Sequence, residues 1–94
     1  MGRWTVILQD ERGKQIQILD GNFVCPYIPD QRYKLLKYID RYGDTIFNTV
    51  QMPDLIDDFN ALKAMDNNSI IDEIISLANR CHGEVHTYLA FYGD

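Results

Sequence analysis

The spacing of apolar positions changes several times along the chain, and each change marks an element. Near the start, "RWTVILQ" and "KQIQILD" are rich in β-branched and aromatic residues, and "DERG" between them predicts a turn in which Gly13 takes positive φ. Trp4, Val6 and Leu8 share one face of the first strand and Thr5, Ile7 and Gln9 the other, so both faces carry apolar groups, as suits a central strand. In the second strand Ile16 and Ile18 alternate with Gln15 and Gln17, which predicts one buried and one wet face. "GNFVCPYIP" then reads as a connector, because Pro26 and Pro29 suit neither an interior strand nor a helix.

Helical spacing follows. Asp30 stands where an N-cap belongs. "QRYKLLKYIDRY" carries Tyr33, Leu35, Leu36 and Ile39 at helical intervals, with Gly43 as its stop. "DTIFNTVQ", Asp44 to Gln51, fits a short strand or an extended loop equally well. Pro53 opens a second helix with Leu55, Ile56, Phe59 and Leu62 on one stripe, and Asp54, Asp57 and Asp58 fall in its first turns, where the helix dipole favours negative charge. Ser69 with Asp72 resembles a capping box for a third helix, which buries Ile70, Ile71, Ile74, Leu77, Ala78 and Cys81 and stops at Gly83.

The closing "EVHTYLAFY" reads as a strand inside the sheet, with Val85, Thr87, Leu89 and Phe91 on one face and His86, Tyr88, Ala90 and Tyr92 on the other. The expectation is a single α+β domain over residues 1–94. An N-terminal β-hairpin, about three helices and a C-terminal strand would form a small antiparallel or mixed sheet covered by helices.

Charge narrows the function classes. Fourteen Asp and Glu oppose nine Lys and Arg, giving a net charge of -5. That field repels polyanions and anionic membranes and steers basic proteins toward the surface, so neither nucleic acid nor membrane is an expected partner. No apolar run approaches the roughly 18 residues of a membrane span, and the N-terminus becomes charged without a signal-peptide core. Cytoplasmic residence with Cys25 and Cys81 as free thiols is expected.

Candidate chemistry is sparse. Cys81, His82 and His86 resemble a metal cluster as letters, yet Gly83 interrupts the helix. In a strand a four-residue offset separates the imidazoles by about 13 Å, so zinc is not expected. Neither cysteine has a sequence-level activator, and buried thiols behave as small hydrophobes. Asp54, Asp57 and Asp58 could hold Mg²⁺ in a metal-dependent hydrolase, but their place at a helix start accounts for them without a substrate. No phosphate-binding loop, dinucleotide fingerprint or nucleophile elbow is present. No catalytic, cofactor or metal residue is therefore assigned, and an enzyme is not expected. What remains is a surface: Tyr38 and Tyr42, four apart on the expected first helix, with Asp54, Asp57 and Asp58 as the partner-binding set.

"YIDRYGDTIFNTVQMPDLIDDFNAL" and the tail "HTYLAFYGD" together resemble small bacterial proteins that sit beside toxins and act as immunity proteins, with a helix-"TxFN"-helix segment and an aromatic strand ending in Gly-Asp. The resemblance implies a stoichiometric, non-catalytic inhibitor that binds a cognate basic toxin domain and needs no cofactor. It carries over no contact residues. The alternative is a small regulatory or accessory domain that self-associates through its sheet or a helix face.

Overall fold

A computed structural model describes residues 2–25, 31–40, 42–66 and 68–93. Strand β1 (Gly2–Asp10) is the axis of a five-stranded, wholly antiparallel sheet. On one side it pairs with β3 (Phe23–Cys25) through Gly2–Trp4 and with β2 (Gln15–Ile18) through Ile7–Gln9. On the other it pairs with β5 (Thr87–Gly93), which in turn carries β4 (Asp44–Asn48) as an edge. The turn after β1 places Gly13 at φ 81, and the Asp10 carboxylate accepts the Arg12 and Lys14 N–H groups at 2.9 Å each.

Two helices, α1 (Met52–Met65) and α2 (Ser69–Gly83), pack on the sheet face formed by Trp4, Val6, Leu8, Leu89 and Phe91. Leu55, Phe59 and Leu62 of α1 meet Ile71, Ile74, Leu77, Ala78 and Cys81 of α2 in the same core. Aromatic rings knit the two layers. Phe23 stacks on Trp4 at 5.3 Å and meets Phe59 edge-on at 5.5 Å, while Phe91 contacts Phe59 at 5.9 Å and Phe47 at 5.8 Å. Such pairs add about 0.5–1.5 kcal/mol each to the burial of their area. The ring cluster therefore ties β1, β3, β4 and β5 to α1.

The expected count of about three helices is overturned: the protein is α+β, with two α-helices among the described residues. Residues 31–40 form turns and a single 3₁₀ turn, Leu36–Tyr38, after which Ile39 is extended at ψ 131. The cause lies outside the segment. A helix here would send the Leu35 and Leu36 N–H groups to carbonyls four residues back. Instead the Asp58 carboxylate accepts N–H groups from Lys34 at 2.9 Å, Leu35 at 2.7 Å and Leu36 at 3.0 Å. Asp58 thus caps a segment more than twenty residues away in sequence, and it is itself only 4% exposed. Tyr33 and Leu36 still reach the core, so the apolar spacing marked burial but not helix. The expected cap Asp30 lies outside the described residues, as do Pro26 and Pro29. Gly43, expected as a helix stop, instead accepts the Gly93 N–H at 2.8 Å beside β4.

Smaller differences concern strand extents and the side chains that cap backbone ends. Of the segment Asp44–Gln51, open between strand and loop, Asp44–Asn48 is strand β4 and Thr49–Gln51 a 3₁₀ turn. Asn48 and Gln51 then form a reciprocal cap for the 3₁₀ turn Thr49–Gln51 that leads into α1. The N-cap of α2 is Asn68, whose Oδ1 accepts the Ile70 N–H, and not Ser69. Phe23–Cys25, expected as connector, makes strand β3 because Pro26 falls just after its last residue.

Replacing Asp58 with alanine leaves three N–H groups without their acceptor, at least that of Leu36 out of reach of water. The expected loss is about 3 kcal/mol of stability, read as a lower urea midpoint with an unchanged slope. A change within about 0.5 kcal/mol, the range of an ordinary surface substitution, would contradict this role.

Candidate protein-binding surface

Asp54 and Asp57 lie three residues apart on the exposed side of α1 and converge on one cation. Lys34 Nζ is 3.0 Å from Asp57 and 3.4 Å from Asp54, and all three side chains are more than half exposed. The hydrogen bond and charge of Asp57, then those of Asp54, raise the Lys34 pKa above its ordinary value. One ammonium facing two carboxylates leaves the group net negative. Exposed ion pairs of this kind contribute little to stability, so the arrangement acts on the surface field more than on the fold.

Asp58, expected beside them, points inward and belongs to the core as the clamp described above. It is therefore withdrawn from the exposed set. The helix that would have aligned Tyr38 with Tyr42 is also absent, because the 3₁₀ turn ends at Tyr38. Both rings are nonetheless largely exposed, at 65% and 76%. Lys37 Nζ lies 5.1 Å from the Tyr38 ring centre, within cation–π range.

The backbone bearing Tyr38 is anchored on both sides. Upstream, Asp58 holds residues 34–36. Downstream, the Asp40 carbonyl accepts Trp4 Nε1 at 2.7 Å, and its N–H donates to Thr45 Oγ1 at 2.9 Å. Asp40 also accepts the Tyr42 N–H through its carboxylate at 2.9 Å. Backbone held this way loses little freedom on binding, which favours affinity.

The histidines and cysteines do not converge. His82 is exposed at the end of α2, whereas His86 sits in the left-handed region at φ 58 with Nδ1 3.3 Å from Glu11. Cys81 is fully buried. Burial pushes its thiol pKa up, against a smaller opposing effect of the Thr87 hydroxyl 3.5 Å away. Among the described residues no three His, Cys, Asp or Glu side chains are grouped as a metal site, and no helix is long and apolar enough to cross a membrane.

Sequence reasoning offered the sheet as a self-association surface without naming the residues of its face opposite the helices. There Ile18, Ile7, Ala90 and Ile46 form one cross-strand row over four strands. Gln9 with Tyr88 and Thr5 with Tyr92 flank it, and Tyr92 donates its hydroxyl to Gln9 Oε1 at 2.7 Å. The apolar residues on both faces of "RWTVILQ" and "HTYLAFY" were the available signal. No protein-family model, curated protein or solved structure matches the chain.

Cys25 and Cys81 are both buried, so a thiol reagent at neutral pH is expected to label neither until denaturant is added, and then both. Rapid labelling of Cys81 in the native protein would contradict its buried setting.

Proposed function

We propose that this chain is a non-catalytic, stoichiometric inhibitor of the immunity type that binds a basic bacterial toxin domain. The observation that carries the reading is the exposed Asp54–Asp57 pair, sharing one cation among the described residues, on the helix whose Asp58 anchors the tyrosine-bearing segment. Further support comes from the net charge of -5 and the exposure of Tyr38 and Tyr42. The carboxylates would steer a cationic partner and the rings would supply contact area once it arrives. If the toxin is a nuclease, the aspartates would stand in for phosphates in its cationic cleft.

The test is capture of partners with the tagged chain from its native host, followed by growth rescue against any basic fragment recovered. Asp54→Lys combined with Asp57→Lys should then slow association by about tenfold at low salt while leaving the melting temperature unchanged. Tyr38→Ala should act mainly on dissociation. Unchanged association and rescue in the charge-reversed variant would remove this surface from the interface. Recovery of no toxin-like partner would remove the inhibitor reading.

A further inference from the structure

The Gly93 N–H donating to the Gly43 carbonyl fixes which backbone groups of β4 face β5. Hydrogen-bonding direction alternates along an antiparallel pair, and Gly43 continues the Thr45–Phe91 and Phe47–Leu89 register. Thr45 and Phe47 therefore turn their N–H and C=O groups toward β5. Asp44, Ile46 and Asn48 turn theirs outward, and the Asn48 N–H is met there by Gln51 Oε1 at 2.9 Å. Among the described residues no strand pairs with this outer side.

Natural sheet edges are commonly blunted by lysine, proline or a bulge. At the far edge of the sheet, the pairing of β2 with β1 contains a register shift. Strand β4, "DTIFN", has no such device. It presents Ile46, 49% exposed, on the face opposite the helices.

We propose that β4 is a homodimerisation edge, pairing antiparallel with β4 of a second copy about a two-fold axis at Ile46. The sequence is self-complementary in that register. Ile46 meets Ile46, Thr45 meets Phe47, and Asp44 meets the uncharged amide of Asn48. A parallel in-register pair would oppose Asp44 with Asp44, which like-charge repulsion disfavours. The two outward Ile46 groups exchange a reciprocal pair of backbone hydrogen bonds, and the Asp44 N–H of each copy reaches the Asn48 carbonyl of the other. The row Ile18–Ile7–Ala90–Ile46 then runs unbroken into its symmetry mate across the joined sheet.

Five residues per strand make a small interface, so the dimer is weak and concentration-dependent. Each copy carries -5, so added salt tightens the pairing by screening repulsion. This pairing does not depend on the inhibitor reading.

Sedimentation equilibrium of the full chain at low and high salt tests it, combined with amide exchange. The expected result is a monomer–dimer equilibrium that shifts toward dimer with salt. The Ile46 amide should exchange more slowly as concentration rises, while Thr45 and Phe47 are protected throughout. Ile46→Lys should weaken dimerisation by at least about tenfold. Ile46→Pro, whose missing N–H faces away from β5 and so spares the β4–β5 ladder, should do the same if the lysine variant fails to fold. A chain that stays monomeric in both salts, a dimer unaffected by either folded variant, or one whose Ile46 amide gains no protection would overturn the proposal.

Discussion

The carboxylate of Asp58 is the contact on which the arrangement of the central segment depends. It is buried, it sits on α1, and it accepts three successive backbone N–H groups from Lys34, Leu35 and Leu36. Because those donors are committed to Asp58, no helix runs through residues 31–36, and the single turn that starts there ends where Ile39 becomes extended. The segment folds instead into one turn that delivers Tyr33 and Leu36 to the core and Tyr38 to solvent. A buried carboxylate is costly unless its lone pairs are met, and three backbone N–H groups meet them here.

Around this clamp the layers have distinct roles. The aromatic cluster of Trp4, Phe23, Phe47, Phe59 and Phe91 joins four strands to α1, the helix bearing Asp58. Trp4 contributes twice, stacking on Phe23 and donating Nε1 to the Asp40 carbonyl. The central segment is thereby held from α1 at one end and from β1 at the other. Exposed groups on a scaffold fixed this firmly present a nearly constant surface, the property a stoichiometric inhibitor would use.

Legibility from sequence followed the range of the interactions. Of the expected stripe Ile70, Ile71, Ile74, Leu77, Ala78 and Cys81, all but the half-buried Ile70 are buried as the spacing implies, because helical periodicity is a local property. Gly13 takes the positive φ its turn requires. The segment after Asp30 misled because Tyr33, Leu35, Leu36 and Ile39 satisfy the helical period while the deciding acceptor lies on another element. In sequence Asp54, Asp57 and Asp58 are all acids in early turns of one helix, although Asp58, three residues after Leu55 and four before Leu62, borders the apolar stripe. The fold turns it inward as a clamp and leaves the other two as outward charges. The cap at Asn68 rather than Ser69 is a smaller instance, since either residue type can cap. The outward backbone groups of β4 depend on its pairing with β5, which no local pattern encodes.

The clamp can be seen most directly by NMR of the full chain, comparing the native protein with Asp58→Ala. The account predicts non-helical backbone shifts over residues 31–40 apart from one turn. The amide protons of Lys34, Leu35 and Leu36 should show the downfield shifts of carboxylate-bound donors, and lose them when Asp58 is replaced. Continuous helical shifts across this segment, or amide shifts indifferent to the replacement, would contradict it.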